Sequence, residues 1–446
     1  MVINQIQITS HHGFNNHRYQ IRFSFFLFTL QISTIVAMKS ITTRIPYTPP
    51  IWARDILVNA PKHGRLSLAN LPTPLHLLST SNICKESNSL EALSSCQFYI
   101  KHDDATGGAE LGGNKIRKLE FLLADALAQE YEHVITIGGE QSNHCRATAC
   151  ACRKVGLTPH LILRSKRKKD DSSSTHFGWI GNILFDRMVG SHIYVCSPGE
   201  YGRFGSMKLI EHVSEIIQMR THQQTYNIPV GGSNAIGTWG YIEAVEELLS
   251  QWYNDDNNEQ QIESPSSNDK GNIDHIVFAT GSGGTATGIV LGIALAYKFK
   301  QLPIPQMHAI GVCDDPNYFY QTMANIAKEM GFTHQSTISP IEFFQEHVTV
   351  YQGKGLGYAS STREELDFVT DFARSTGVAL DPVYTGKALY HFVTHVLKSN
   401  PDKFQDSNIL FWHTGGALGM YDKGESLTLE HVSPVEALEL YGSKSL

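Results

Sequence analysis

Acidic residues are missing from the first 54 positions, although Arg18, Arg22, Lys39, Arg44 and Arg54 are scattered through the same stretch. An acid-free, arginine-dotted start among Ser and Thr has the profile of an organelle leader, so residues 1–54 are expected to be a mitochondrial targeting segment. A secretory signal is the weaker alternative, and initiation at Met38 would leave a cytoplasmic product. Long apolar runs are also missing. Phe23–Met38 is interrupted by Ser24, Thr29, Gln31, Ser33 and Thr34, which falls short of the ~20 apolar residues of a span, so no membrane is expected as a partner. The seven cysteines include no C-x-x-C pair, which excludes a dense disulfide framework and fits a reducing compartment. Cys145, Cys150 and Cys152 lie in an alanine-rich stretch where thiols pack as small apolar groups, so no metal is expected. With 36 Lys and Arg against 43 Asp and Glu, the only basic run is Arg164–Lys169, closed by Asp170 and Asp171. Such a run gives no electrostatic footprint for nucleic acid.

What is present is alternation. From about Tyr99 onward, apolar runs of strand length alternate with longer helical patterns, the signature of an α/β fold with parallel strands. Strands are expected at His133–Ile137, His160–Leu163, Ser191–Cys196, Tyr226–Val230 and Asp274–Thr280. Helices are expected from Ser142 to Val155, near Met207–Met219, and from the glycine loop through Tyr297. The stretch 254–272 is rich in Asn, Ser and Asp and reads as an exposed loop insertion.

Three segments carry chemistry. In G-G-N-K-I-R-K-L-E-F-L-L, helical spacing of Ile116, Leu119 and Leu123 puts Lys115 in the first turn of an amphipathic helix. The helix dipole there disfavours an ammonium, and a neutral lysine can form a Schiff base with an aldehyde. A lysine at a helix start is by itself usually a solvated surface residue. In I-G-G-E-Q-S-N-H, a strand passes into a helix at Ser142, Asn143 and His144, where free N–H groups suit a carboxylate. A simple helix cap explains that segment equally well. In A-T-G-S-G-G-T-A-T-G, residues 279–288, glycines and hydroxyls let the backbone approach phosphate oxygens, and no Walker lysine follows. G-S-G-G-T-A with Asp314 beyond the next strand also matches a dinucleotide pattern, so an NAD(P)-dependent oxidoreductase remains open at this point, as does a non-catalytic binding protein. Leu380–Lys387 (L-D-P-V-Y-T-G-K) and Phe411–Gly419 (F-W-H-T-G-G-A-L-G) add glycines and hydroxyls beside short apolar runs.

Taken together, from about Tyr99 to Gly419, these segments resemble the fold-type-II pyridoxal-phosphate enzymes, and among them the 1-aminocyclopropane-1-carboxylate deaminase and D-cysteine desulfhydrase group. The resemblance implies two open, twisted, mainly parallel sheets flanked by helices, as in the tryptophan synthase β chain. A smaller domain at 119–227 would be inserted in a larger one made of 55–118 and 228–446. It implies pyridoxal 5′-phosphate as cofactor, a small amino acid as substrate and a homodimer. Lys115 would carry the cofactor; Ser142, Asn143 and His144 would hold the substrate carboxylate, with Asn143 also near the cofactor ring. Gly281, Ser282, Gly283, Gly284 and Thr285 would hold the phosphate. Tyr384 and Tyr358 would be active-site tyrosines, Tyr358 standing in for the tyrosine of a Y-G-x-P-like segment that this chain lacks. His144 after S-N and Thr385 after D-P-V-Y resemble the desulfhydrase pairing, with Thr385 expected to hydrogen-bond the pyridine nitrogen. The implied reaction is α,β-elimination from D-cysteine, with deamination of the cyclopropane amino acid as the alternative.

Overall fold

The computed structural model describes residues 41–79, 90–166, 178–253, 271–333, 338–427 and 429. Residues 1–40, most of the expected leader, lie outside the described residues, as do 254–270 of the expected insertion and Arg167–Lys169 of the basic run. The acid-free stretch does not stay separate up to Arg54. Ile45 exchanges backbone hydrogen bonds with Arg65, Tyr47 sets its ring edge-on to Phe121 and Trp239, and the buried Trp52 donates to Glu246 at 2.6 Å. Aromatic burial of this size fixes residues 45–54 on the body, where a targeting segment was expected to run up to 54.

Among the described residues, ten strands form two sheets. The larger runs in the order β1 (Leu75–Leu78), β2 (Gln97–His102), β10 (Asn408–His413), β7 (His275–Thr280), β8 (Gln306–Gly311), β9 (Val348–Gln352). Only β1 is antiparallel to its neighbour. The smaller sheet runs β5 (His192–Cys196), β4 (Thr158–Arg164), β3 (His133–Gly139), β6 (Thr225–Asn227), all parallel. Buried runs such as H-I-V-F-A-T in β7 reflect helices on both faces of a parallel sheet. The expected strand Tyr226–Val230 shortens to Thr225–Asn227, because Pro229 has no N–H to donate and Gly231 turns the chain at φ +67°.

Helix α1 is Ile51–Arg54. Helix α2, Lys115–Ala128, buries Ile116, Leu119, Leu122, Leu123 and Ala126 as the spacing predicts. It also buries Arg117, which pattern reading places outside. The Arg117 guanidinium meets Asp103, just after β2, at 2.8 Å and Glu247 at 2.9 Å, while Lys101 pairs with the same Glu247. Tyr241 and Trp412 donate to the other oxygen of Asp103. Satisfied on every side, this network fixes α2 to the large sheet, and with it the position of Lys115. Helices α3 (Asn143–Lys154), α4 (Asn182–Met188), α5 (Pro198–Phe204) and α6 (Ser206–Thr221) accompany the small sheet. Cys145, Cys150 and Cys152 of α3 are buried in apolar clusters. Helices α7 (Ala235–Tyr253), α8 (Gly284–Lys300) and α9 (Pro316–Glu329) pack in the main core. A Cβ on Gly288 of α8 would lie 2.3 Å from Cβ of Tyr241, so glycine is what permits α7 and α8 to touch there. Helices α10 (Pro340–His347), α11 (Arg363–Thr376), α12 (Thr385–His391) and α13 (Pro401–Phe404) follow along the chain. Among the described residues no helix is long and apolar enough to cross a membrane.

Candidate active site

The carboxyl ends of strands from both sheets open on one cavity of about 440 Å³, the usual ligand position in open α/β sheets. Of the residues singled out from sequence, Lys115, Ser142, Asn143, His144, Gly281, Ser282, Gly283, Thr285, Tyr358 and Tyr384 line it. Gly284 stands directly behind, its N–H donating to Ser233 Oγ at 3.2 Å. Thr414, Gly415 and Gly416 of the second glycine-rich segment form another wall.

Lys115 is the first residue of α2, as expected. Its Nζ donates to Asn114 Oδ1 at 2.8 Å and lies 5.9 Å from the Tyr384 ring centre. Its pKa is brought down to about 8, chiefly by burial, with Arg146 acting in the same direction and the Asp381 carboxylate opposing. Desolvation supplies the depression that the sequence reading assigned to the helix dipole. Asn114 in turn donates to Thr285 Oγ1 at 3.0 Å, tying the lysine turn to the glycine loop.

Ser142 caps α3, its Oγ accepting from the Cys145 N–H at 3.2 Å, and remains on the cavity wall, so the cap and the site coincide in one residue. Asn143 Oδ1 is buried without a partner among the described residues. His144 bonds Thr136 Oγ1 through Nε2 at 2.9 Å, and burial, with Lys115 and Lys118 adding repulsion, holds its pKa well below the imidazole range. It is therefore neutral at physiological pH. The Tyr358 and Tyr384 hydroxyls meet at 3.0 Å, and burial raises both phenols above their ordinary value.

Thr385 is a correction. It is fully buried but off the cavity wall: its hydroxyl donates to Asp381 Oδ1 at 2.7 Å and accepts from the Asp381 N–H at 2.9 Å. Its one hydrogen is thus committed to a carboxylate that also receives the N–H groups of Val383, Tyr384 and Thr385. Thr385 closes the turn that presents Tyr384, and the threonines that line the cavity are Thr280, Thr285, Thr322 and Thr414. Thr385→Val should lower stability by about 1–3 kcal/mol by leaving the buried Asp381 N–H without its acceptor and taking one donor from Asp381 Oδ1. Denaturant melts of the variant check this.

Sequence reasoning missed Lys118, one helical turn beyond Lys115. Its Nζ is buried, donates to Gly231 O at 3.1 Å and approaches Ser233 Oγ at 3.4 Å, beside the start of α8. Burial first, then Lys115, pushes its pKa well below the usual lysine value. The available signal was the i, i+3 spacing in K-I-R-K, which puts both amines on one face of α2. Cys313 also lines the cavity, its thiol pushed up to about 12 by burial and by Asp314, which disfavours the thiolate.

An α/β enzyme with an amine of lowered pKa facing glycine-lined helix starts is the class that this fold and site define. The chain belongs to the pyridoxal-phosphate dependent enzyme family, which it matches over residues 66–415. It is 41% identical over 90% of its length to a protein of Arabidopsis thaliana named bifunctional D-cysteine desulfhydrase/1-aminocyclopropane-1-carboxylate deaminase, mitochondrial, covering 89% of that protein. It is 30% identical over 82% of its length to a D-cysteine desulfhydrase of Klebsiella pneumoniae, covering 98% of it. Among solved structures it matches one described as an ACC deaminase homologue with a TM-score of 0.64 and 30% identity, over 85% of this chain and 99% of that one. The nicotinamide-oxidoreductase alternative, drawn from the G-S-G-G-T-A loop, is set aside by this membership.

The residues present fit the cofactor. A Cβ on Gly283 would lie 2.6 Å from Thr322 and one on Gly284 3.0 Å from Lys118 Nζ, so the loop is shaped for backbone approach next to a cation. Asn143 Oδ1 awaits a donor, and Lys115 offers a reactive amine.

Proposed function

We propose that the enzyme carries out α,β-elimination of D-cysteine with water to give pyruvate, ammonia and hydrogen sulfide. The observation that carries this reading is the convergence of a Lys115 amine of pKa about 8 with the Tyr358–Tyr384 phenol pair in one cavity. The names of the Arabidopsis and Klebsiella relatives support it. Bound pyridoxal phosphate supplies the electron sink that acidifies the bond next to the substrate amine.

The rest falls to the chain. The N-terminal turn of α3, with Ser142, Asn143 and neutral His144, receives the substrate carboxylate through backbone N–H groups and hydroxyl. Lys115 Nζ, neutral above about pH 8, takes the α-proton. The Tyr358 and Tyr384 phenols, kept protonated by burial, stand ready to give a proton to the departing thiolate. Gly281–Thr285 and Lys118 hold the phosphate end. The same arrangement serves deamination of 1-aminocyclopropane-1-carboxylate, the second reading, which the double name of the Arabidopsis relative favours. Assays of sulfide and pyruvate from D- and L-cysteine decide: equimolar release from D-cysteine is expected, and ammonia from the cyclopropane acid without sulfide from D-cysteine would replace the first reading with the second.

In this reading 119–227 is the small domain inserted in a large one of 55–118 and 228–446, with the cavity between them. The enzyme works as a homodimer in mitochondria, in keeping with the mitochondrial name of the Arabidopsis relative. A reporter carrying the acid-free leader should enter mitochondria, and purely cytosolic fluorescence would count against this; light scattering reads the dimer.

A further inference from the structure

Arg164 ends β4 opposite Gly139, its register partner on β3, and lines the cavity half-buried. An arginine at such a place ordinarily meets a carboxylate. Here none of the described residues gives its guanidinium a hydrogen bond or ion pair, and the group lies instead over two aromatic rings: 4.8 Å from the centre of Tyr201 in α5 and 5.3 Å from that of Tyr358. Tyr358 comes from the far side of the cavity, from the loop between β9 and α11. It reaches the small sheet so closely that a Cβ on Gly139 would stand 3.6 Å from its Cε1 and 3.9 Å from its hydroxyl. At its other end the same hydroxyl meets Tyr384 at 3.0 Å.

We propose that Arg164 is a positioning residue for the reaction: the face of its guanidinium holds the Tyr358 ring against Gly139, so that the phenol stays on Tyr384 and in the cavity. The physical basis is the attraction of a cation for the π-face, strengthened where water is excluded. Tyr201 on the neighbouring ring position ties helix α5 into the same stack, so three elements are fixed by one side chain. A lysine keeps the charge but loses the flat face that stacks on a ring. The positive charge of Arg164 also eases ionisation of Tyr358 against the effect of burial, with the Tyr384 hydrogen bond acting in the same direction and Cys145 and Cys313 opposing. This inference rests on the reading above in taking Tyr358 as part of the catalytic machinery.

The test is a double-mutant cycle on the holoenzyme, with R164Q, R164K, Y358F and R164Q/Y358F. The wild type assayed with D-cysteine checks the proposed reaction itself. The cycle is followed with whichever of D-cysteine or 1-aminocyclopropane-1-carboxylate the wild type turns over, so failure of that reaction and failure of the clamp are separate results. In R164Q, kcat should fall about tenfold, the size that a desolvated cation–π contact of ~1–2 kcal/mol allows, while KM moves less than about threefold. In the Y358F background the same change should have an effect on kcat smaller than about twofold, and R164K should restore only part of kcat. Melting temperatures of the wild-type, R164Q, Y358L and R164Q/Y358L apoproteins give a readout without substrate, and their changes should be non-additive because leucine removes the ring that the guanidinium covers. A rise in KM at unchanged kcat, undiminished in Y358F, would make Arg164 a direct ligand for a substrate anion and overturn the proposal. Additive melting shifts together with an equal kcat loss in both backgrounds would likewise overturn it.

Discussion

Lys115→Ala should lower turnover more than about a thousandfold and leave the protein folded, since removal of a positioned general base is worth about 10²–10⁴ and the covalent hold on the cofactor goes as well. The side chain points into a cavity and, among the described residues, hydrogen-bonds only the neighbouring Asn114, so its loss opens no hole in the core. The sign of the pH dependence follows from its pKa of about 8, lowered by burial. The protonated amine cannot attack a carbonyl, so capture of an aldehyde by the apoprotein should rise with pH through about 8 and then level off. Stopped-flow absorbance of apoprotein mixed with pyridoxal phosphate measures this, and circular dichroism checks the fold. A folded Lys115→Ala variant with undiminished turnover would remove the lysine from the mechanism, and a pH-independent capture rate would remove the lowered pKa.

Lys118→Met should weaken cofactor binding by about 10- to 100-fold, the range of a lost hydrogen bond to a charged group at ~1.5–3 kcal/mol. It should do so without destabilising the apoprotein. Without a ligand the Lys118 amine is buried against a carbonyl and a hydroxyl, with its charge disfavoured by burial and by Lys115. An apolar side chain of similar length removes that unfavourable burial. A phosphate dianion at the start of α8 would restore the charge and turn the same burial into attraction. Equilibrium dialysis of pyridoxal phosphate against the apoprotein, alongside urea melts, separates the two effects. Unchanged affinity with loss of stability would make Lys118 a structural residue only.

Much of the site was written in local sequence. Lys115 at a helix start, Ser142–His144 at a strand-to-helix turn and Gly281–Thr285 ahead of an apolar helix are each recognisable because glycine, cap and periodicity act over a few residues. Those elements formed where expected, from His133–Gly139 to Gly284–Lys300. The register of Thr385 was not legible. D-P-V-Y-T-G says that a turn is present, but whether the threonine hydroxyl faces the cavity or the turn depends on Asp381 Oδ1, which takes its hydrogen. Local rules name the competing partners and do not rank them.

By itself the sequence determined the α/β alternation, the lysine-bearing helix and the phosphate-type loop, because hydrophobic period and backbone freedom are properties of neighbouring residues. Only the tertiary structure decided that Lys115 loses its proton more easily through burial, that Lys118 joins it, and that Arg164 stacks on Tyr358. It also decided that Ile45–Arg54 belongs to the folded body. Those outcomes depend on desolvation and on contacts between residues far apart in the chain. The dielectric surroundings of an amine and the partner of a ring come into being only when the two sheets and their helices close around the cavity.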